Sequence, residues 1–425
     1  MLDIQLFRDT PDAVRKSLQR RGMDPAPVDE VVRLDQEWRQ GLQQLNQLRA
    51  QRNQAALRIG EAKKKGGDAQ AVLLEMKNVS GQIEALDARV KELEETRRQR
   101  LMRLPNLLHE SVPVGKDDSQ NVPVRTAGEA RKHAFEAKSH VDLLASLKLA
   151  DIDRAGKVAG ARFFYLTGNG VRLSYAIQQY ALDALRKKGW TLVDPPYMLR
   201  REAIAGATDL HDFEDVIYRV EGEDLYLVAT SEHAVGAMHM GEILEEKQLP
   251  IKYAGVSPCF RKEAGAHGKD TKGIFRVHQF HKIEQFVFAK PEDSWTTHEE
   301  LIRNAEDLVK GLELPYRIVN ICTGDIGTVA AKKYDLEAWM PVQGAYRELV
   351  SCSNCTDYQA RRWDIRTRPS TDAPTRFVHT LNSTALAVER TIVALLENHQ
   401  TQDGRLRIPK ALRPYLGDEE TLDPA

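Results

Sequence analysis

Cysteine is scarce in this chain and long apolar runs are missing, and both absences narrow the possible classes of protein. Four cysteines in 425 residues are too few for a disulfide framework, so we expect reduced thiols and a cytoplasmic location. No stretch approaches the roughly 18 consecutive apolar residues of a membrane-spanning helix. The first residues, MLDIQLFRDT, include acids and no apolar core, so they do not resemble a signal peptide.

The chain also lacks an excess of charge and the common nucleotide-binding loops. Its formal net charge is −1, so a nucleic-acid partner would have to bind a local basic patch. Neither GxxxxGK[ST] nor GxGxxG is present. An ATP site in this chain would therefore use arginine side chains and metal-binding carboxylates instead of a glycine-rich loop.

Residues 28–104 contain no proline and few glycines, and their apolar residues are regularly spaced. In the second half, spacings of four and three alternate through Val72, Met76, Val79, Ile83, Leu86, Val90 and Leu93. In the first half, a looser match runs through Val31, Leu34, Trp38, Leu45, Leu48, Ala55 and Ile59. With a reversal at the glycines of KKKGGD (63–68), the pattern predicts an antiparallel coiled-coil hairpin that projects roughly 50 Å.

This predicted arm is locally basic. Between Arg33 and Arg103 there are 15 Lys/Arg and 10 Asp/Glu, with Lys63, Lys64 and Lys65 at the tip. A spacer or a dimerisation element would also explain a coiled coil. The positive charge on an extended surface favours the binding of an RNA backbone that is recognised by its shape.

The remainder of the chain has a different pattern. Pro105 ends the second helix, and residues 106–119 are typical of an extended linker. From 120 to 425, short strand patterns alternate irregularly with helical ones, which predicts an α+β domain with a mostly antiparallel sheet flanked by helices. We therefore expect an N-terminal domain over 1–105, with the arm at about 28–104, then the linker and a domain over 120–425.

The most informative segment is 258–286, PCFRKEAGAHGKDTKGIFRVHQFHKIEQF. It predicts two strands, the second over 274–288, and amphipathic helices are predicted elsewhere over 171–189 and 384–399. Arg261 offers a planar set of donors that suits phosphate or carboxylate. Phe280 offers a face on which adenine would stack, and nearby acids would hold an amine. The segment therefore predicts a site for a nucleotide and an amine.

The order of the motifs resembles the seryl branch of the class II aminoacyl-tRNA synthetases over essentially the whole chain. Motif 1 is similar to 171–199, which ends in the Pro195-Pro196 pair and would build a homodimer interface. FRKE (260–263), with the loop that runs on to Phe280, is similar to motif 2, and the stretch 382–390 is similar to motif 3. TSEH (230–233) and YRELVSCSN (346–354) are similar to the seryl-specific segments.

The resemblance implies a pocket for L-serine. Thr230, Ser231 and Glu232 would bind the substrate, chiefly around its amino group. Glu284 and Thr384 would provide hydrogen-bond partners for its hydroxyl. Such a site should reject alanine, because its polar groups would be left unpaired.

The resemblance also implies an ATP site beside this pocket. Arg261 would bridge the serine carboxylate and the α-phosphate, and Glu263 would meet the adenine edge. Phe280 and Arg390 would sandwich the adenine, and Arg390 would also meet the γ-phosphate. The implied catalytic residues are Arg261, Glu348 and Arg390, and the whole implied ATP site is Arg261, Lys262, Glu263, Phe280, Glu348, Leu349, Val350, Ser351 and Arg390.

Metal binding is expected to be limited to Mg²⁺. Glu348 and Ser351 offer the oxygen ligands that Mg²⁺ takes alongside phosphates. Cys352 and Cys355 form one CxxC pair, which without a second pair is a weak zinc signal, so no zinc is expected. Motif 3 usually carries glycines near its start, and this chain has Ser383 and Ala385 there.

The implied activity is the activation of L-serine with ATP, followed by transfer of the seryl group to tRNA(Ser) and also to tRNA(Sec). The arm, with Lys63, Lys64 and Lys65 at its tip, would grip the tRNA, and no membrane partner is expected. One alternative is a ligase that charges a carrier protein, against which the basic arm argues. Another is a non-catalytic RNA-binding relative, which predicts the loss of site residues that are present here.

Overall fold

The computed structural model describes residues 1–64, 70–130, 132–208, 215–263 and 272–424, without the side chains of residues 62, 63 and 71. The chain forms two compact units, Met1–Pro105 and Asn106–Ala425. Among the helices of the described residues, none has the length and apolar character that crossing a membrane requires.

The first unit is helical. Its helices are α1 (Ile4–Asp9), α2 (Pro11–Arg20), α3 (Ala26–Lys64) and α4 (Gln70–Arg103). Asp3 caps α1 by accepting a hydrogen bond from the N–H of Gln5. Pro11 begins α2, a position where the backbone N–H makes no hydrogen bond within the helix, so the lack of an N–H on proline costs nothing there. The two long helices form the predicted arm.

The spacing of apolar residues predicted which face of each long helix is buried. Leu45, Ile83 and Val90 form a buried apolar cluster in the arm, and the partly buried side chains packed against them are Trp38, Leu42, Leu48, Val79 and Leu86. Ion pairs join Arg49 to Asp87 and Arg58 to Glu75. The later residue on α3 therefore pairs with the earlier residue on α4. This order shows that α3 and α4 are antiparallel. The predicted reversal at Gly66 and Gly67 lies outside the described residues.

The second unit is built on an eight-stranded sheet. Its strands are β1 (Val122–Ala127), β2 (Thr191–Val193), β3 (Ile251–Phe260), β4 (Gln279–Ala289), β5 (Tyr316–Asn320), β6 (Lys332–Met340), β7 (Ala345–Asn354) and β8 (His379–Ala387). Their order across the sheet is β1-β5-β6-β7-β8-β4-β3-β2. Every neighbouring pair is antiparallel except β2 with β3. The predicted α+β class with a mostly antiparallel sheet is confirmed.

Shorter elements surround this sheet. Within the described residues of the second unit, the α-helices are α5 (His140–Ser146), α6 (Ile152–Ala159), α7 (Asn169–Lys187), α8 (Arg201–Ala207), α9 (Ser231–Gly236), α10 (Ser294–Gly311), α11 (Tyr358–Trp363) and α12 (Val388–His399). The short strands are Ala150–Asp151, Tyr165–Leu166, Met198–Leu199, Tyr226–Leu227, Ile243–Glu245, Arg366–Arg368, Arg376–Phe377, Leu406–Arg407 and Thr421–Leu422.

One face of the large sheet carries the main core. Ile283 and Val287 of β4 lie in the same apolar cluster as Ile177 of α7, Ile302 of α10 and Ile392 of α12. Successive residues of a strand point to opposite faces. The other face of the sheet carries a second apolar cluster, to which Phe286 of β4 belongs, and polar residues that leave room for a binding site.

Two predicted elements need correction. The helix predicted over 384–399 begins only at Val388, because residues 379–387 form β8 and pair with β4. The apolar run of 384–387 is buried on a strand, and periodicity could not separate this run from the helix that follows. The strand predicted over 274–288 begins at Gln279, so its first five predicted residues are not strand. The helix predicted over 171–189 is confirmed, with bounds Asn169–Lys187.

Candidate active site

A cleft of about 600 Å³ on the polar face of the sheet brings together most of the predicted site residues. Those that line it are Thr230, Glu232, Arg261, Phe280, Glu284, Glu348, Leu349, Ser351, Thr384 and Arg390. They come from separate strands and helices of the second unit, so the fold, and not proximity along the chain, assembles the cleft.

Strand β4 supplies three residues of the cleft through simple alternation. Phe280, Lys282 and Glu284 are two residues apart, and all three line the cleft. Lys282 was not among the predicted site residues, although its position between the other two in a strand pattern was a usable signal. Its ammonium lies 2.5 Å from Glu284 Oε2.

Strand β7 supplies Glu348 and Ser351 because of a bulge. Residues three apart on a regular strand face opposite sides of the sheet. In β7 the register shifts, so that Glu348 lies opposite Glu337 while Val350 lies opposite Leu336, and Leu349 has no partner on β6. The extra residue puts Glu348 and Ser351 on the same face, where both line the cleft.

One end of the cleft is a buried polar pocket around Glu232. Its Oε1 accepts hydrogen bonds from Gln359 Nε2 at 2.8 Å and from Asn382 Nδ2 at 3.0 Å. Thr230 caps α9 by accepting from the N–H of Glu232 at 3.3 Å, which fixes Glu232 in the first turn of that helix. Burial, with repulsion from Glu284, raises the pKa of Glu232 to about 7.

Glu284 and Thr384 form the neighbouring part of this pocket. They lie opposite each other on β4 and β8, and the hydroxyl of Thr384 is 3.3 Å from Glu284 Oε2. Both residues are buried. The pocket therefore presents two carboxylates, an ammonium and a hydroxyl to a small polar ligand.

The other end of the cleft is cationic. Arg261 donates from Nε to the Ala229 carbonyl at 3.2 Å, and its guanidinium lies 5.2 Å from the centre of the Phe280 ring. Arg390 lies 3.5 Å from Glu348 Oε1 and 5.1 Å from the centre of the Phe275 ring. This leaves both guanidiniums along a cleft that suits an anionic ligand.

The Glu348 carboxylate is held in its charged form. Burial in the cleft raises its pKa, but Arg390, Lys333, Arg261 and Lys282 lower it by more, to about 2. The side chain is nevertheless 45% exposed, because it faces the open space of the cleft. An ionised, accessible carboxylate suits a ligand of a hard cation.

Four predicted residues do not line this cleft. The Ser231 hydroxyl is buried and donates to the Gly255 carbonyl at 3.3 Å, and Val350 lies in the apolar core. Lys262 is exposed, and its backbone N–H donates to the Val216 carbonyl at 2.8 Å. Glu263 lines a smaller adjoining cavity together with Phe275, Phe280 and Arg390.

The predicted arm residues lie in the other unit. Lys64 is exposed at the end of α3. Lys65 and the side chain of Lys63 lie outside the described residues. The role predicted for the three lysines remains a prediction.

The two cysteines of the CxxC pair have different surroundings. Cys352 lies in the apolar core, whereas Cys355 lines the cleft, where its Sγ accepts from Asn382 Nδ2 at 3.6 Å. Burial raises the pKa of both thiols. Within the described ranges, no three or more His, Cys, Asp or Glu side chains come together as a metal-binding group.

A larger cavity, of about 1130 Å³, lies elsewhere in the second unit. Its lining includes His133, Glu313 and Arg407, and it contains none of the predicted residues. Because the predicted substrate-binding side chains come together in the smaller cleft, we identify it as the candidate active site.

Sequence reasoning missed several residues of the cleft. Asn382 was within the predicted motif 3, and its spacing of two from Thr384 would have placed it on the same face of a strand. Lys333 and Ser353 lie opposite each other on β6 and β7 and both line the cleft. Gln359 bonds Glu232 from 127 positions away in the chain, and no local pattern predicts such a contact.

The chain matches two family models. Residues 1–108 match the family model "Seryl-tRNA synthetase N-terminal domain", and residues 215–399 match "tRNA synthetase class II core domain (G, H, P, S and T)". The serine–tRNA ligase of Thermococcus onnurineus is 53% identical over 99% of this chain and 97% of its own length.

Two solved structures are also similar over the full chain. The seryl-tRNA synthetase of Pyrococcus horikoshii, complexed with ATP, has a TM-score of 0.95 at 53% identity and covers 100% of both chains. The cytoplasmic serine–tRNA ligase of Naegleria fowleri, in complex with AMP, has a TM-score of 0.90 at 37% identity and covers 100% of this chain and 99% of its own.

The fold and the cleft define a class II aminoacyl-tRNA synthetase core. Within that class, the chain belongs to the seryl-tRNA synthetase family. The predicted family and the predicted enzyme class are therefore confirmed.

Proposed function

We propose that this chain activates L-serine with ATP and transfers the seryl group to the 3′-terminal adenosine of tRNA(Ser). The observation that carries the proposal is a single cleft in which a buried pocket of carboxylates and hydroxyls adjoins a pair of arginines. Full-length similarity to serine–tRNA ligases supports the same reaction.

The buried pocket is the proposed site for serine. Glu232, positioned by Thr230, attracts the ammonium group, while Glu284 and Thr384 bond the hydroxyl. Desolvation strengthens these interactions, because competing water is excluded from a buried polar site. Ser231, next to Glu232 in the chain, is held in place by the hydrogen bond from its hydroxyl to the Gly255 carbonyl.

The cationic end is the proposed site for ATP. A serine carboxylate oxygen attacks the α-phosphorus, and pyrophosphate leaves. Arg261, at the junction of the two ends, brings the two anions together, and Arg390 binds the terminal phosphates. The reaction needs orientation and charge neutralisation more than a base, and both arginines supply these. Phe280 offers its ring to adenine, and Glu263, in the adjoining cavity, offers a carboxylate to the base edge.

Mg²⁺ fits the residues at Glu348 and Ser351. The bulge in β7 directs both side chains into the cleft, and the carboxylate of Glu348 is ionised and accessible. When bound, Mg²⁺ would neutralise charge on the phosphates of ATP. The expectation that no zinc is needed remains part of the proposal.

The arm is the proposed tRNA-binding element. Its two antiparallel helices present an excess of basic residues, with Lys64 exposed at the described end of α3. Transfer to tRNA(Sec) is proposed as well, because the family resemblance implies it. In both cases the adenosine hydroxyl attacks the carbonyl carbon of the adenylate, and AMP leaves.

A homodimer in the cytoplasm is the proposed state of the enzyme. Helix α7 and β2 fall in the predicted motif 1, and Tyr175 of α7 is 68% exposed, as is suitable for a subunit interface. All four cysteines are free thiols, which suits a reducing compartment.

The proposal is tested by charging purified transcripts of tRNA(Ser), tRNA(Sec) and a non-cognate tRNA with labelled serine. We expect acid-precipitable, alkali-labile seryl-tRNA with the first two transcripts and background with the third. Charging of none of the transcripts by the folded protein would contradict the proposal.

A further inference from the structure

The segment that follows the arm unit is bonded to one side of the cleft. We call residues 106–121 the strap and residues 325–330 the wall. All six wall residues line the cleft. The strap is joined to residues 320–331 by several hydrogen bonds: Asn106 N–H to Thr328 O at 2.8 Å, His109 N–H to Ala331 O at 2.9 Å, Thr323 N–H to Pro113 O at 2.9 Å and Asn320 Nδ2 to Ser111 O at 2.9 Å.

Asn106 is the point at which the strap holds the wall most closely. Its side chain is buried, with the residue 3% exposed. The amide Nδ2 lies 3.0 Å from Val329 O, 2.8 Å from Cys355 O and 3.1 Å from Thr356 Oγ1. One amide group thus joins the wall to the residues that follow β7.

The same bonds extend to the proposed serine site. Cys355 lines the cleft, and its Sγ accepts from the amide of Asn382, which also donates to Glu232. A displacement of Cys355 would therefore shift Asn382, and a displacement of Val329 would widen the cleft. Asn106 restrains both.

We propose that Asn106 is a positioning residue that fixes the wall against Cys355 and so sets the size of the pocket that accepts serine and excludes threonine. This inference rests on the proposed function, because it assumes that the pocket binds serine. A pocket that excludes a substrate by size alone discriminates against one additional carbon by roughly 10–200-fold in kcat/KM. It does so only if the residues around the pocket do not move to make room. A buried amide that bonds two separate segments provides that rigidity.

The test compares Asn106→Ala with Asn320→Ala, in amino-acid-dependent ATP–pyrophosphate exchange with serine and with threonine. Both substitutions remove an amide that makes hydrogen bonds involving the strap. The Asn106 amide bonds Val329 and Cys355, which line the cleft, whereas the Asn320 amide bonds Ser111, which does not. For Asn106→Ala we expect the KM for serine to rise about tenfold and the serine-to-threonine ratio of kcat/KM to fall about tenfold, with the KM for ATP unchanged. For Asn320→Ala we expect the KM for serine, the KM for ATP and the serine-to-threonine ratio of kcat/KM to match those of the unsubstituted protein.

A merely structural role would lower the amount of active enzyme, and hence kcat, without changing the serine-to-threonine ratio. That ratio, unchanged in folded Asn106→Ala, would overturn the inference. If Asn106→Ala does not fold, Thr356→Val removes one of the three acceptors and should lower the ratio about two- to threefold, and an unchanged ratio would again overturn the inference. Absence of serine-dependent exchange in the unsubstituted protein would instead overturn the proposed function.

Discussion

Glu284 and Thr384 are 100 positions apart in the chain, and they lie directly opposite each other on neighbouring antiparallel strands, with the threonine hydroxyl 3.3 Å from Glu284 Oε2. This pairing places a donor and an acceptor together on a buried surface. A serine hydroxyl bound there would find partners for both its proton and its lone pairs.

Removing the Thr384 hydroxyl should weaken the distinction between serine and alanine. For Thr384→Val we expect kcat/KM for serine to fall about 10–100-fold while that for alanine changes little, because only serine loses a hydrogen bond. ATP–pyrophosphate exchange with both amino acids measures this. Ser383→Ala is the matched control, since that hydroxyl donates to the Thr384 carbonyl and does not line the cleft. An unchanged serine-to-alanine ratio in Thr384→Val would contradict the pocket assignment.

Removing the guanidinium of Arg261 should abolish adenylation without affecting assembly. For Arg261→Ala we expect a loss of at least about 10²–10³-fold in exchange activity, because no positive charge would then offset the repulsion between the serine carboxylate and the α-phosphate. Arg376→Ala, which removes an ion pair with Glu292 away from the cleft, serves as the control and should retain activity. Light scattering should give the same mass for both variants, and full activity in Arg261→Ala would refute its role.

The affinity for serine should depend on pH through Glu232. Burial and repulsion from Glu284 raise its pKa to about 7, so the carboxyl is neutral below that pH and attracts an ammonium group poorly. We therefore expect the KM for serine to fall as the pH rises through about 7 and then to level off, while the KM for ATP shows no matching change. Glu232→Gln should remove this inflection and raise the KM at high pH. An inflection that persists in Glu232→Gln would show that another group is responsible.

Deleting the arm should separate the two half-reactions. Replacement of residues 30–103 by a short flexible linker should spare adenylation, since the second unit has its own core and contains the whole cleft. Charging of tRNA(Ser) should become undetectable, because the proposed contacts with tRNA are lost. Substitution of Lys63, Lys64 and Lys65 by alanine should have a milder effect that is largest at low salt and shrinks as the salt concentration rises. An unaffected charging rate after the deletion would refute the role of the arm.

The sequence predicted the arm and the fold class well, because both depend on local periodicity. The spacing of four and three residues identified the face of α4 that carries Ile83 and Val90, and both are buried in the arm. Phe280 and Glu284 were predicted on one strand, and their even spacing on β4 puts both on the face that lines the cleft. Such patterns are local, so a single sequence contains them.

The rest of the cleft depends on features that a single sequence does not reveal. The bulge at Leu349, which puts Glu348 and Ser351 on one face, is visible only in the register of β6 with β7. The first part of the helix predicted over 384–399 is a strand, because β4 provides a pairing partner and a buried position. Lys282 contacts the Glu284 carboxylate, and Gln359 donates to the Glu232 carboxylate from a distant segment of the chain.

The most direct test of the account is ATP–pyrophosphate exchange without tRNA, with serine, threonine, alanine and glycine compared side by side. We expect far faster exchange with serine than with the other three amino acids, because only serine both fits the size of the pocket and satisfies Glu284 and Thr384. Faster exchange with a different amino acid, or none with serine in the folded protein, would contradict the pocket assignment.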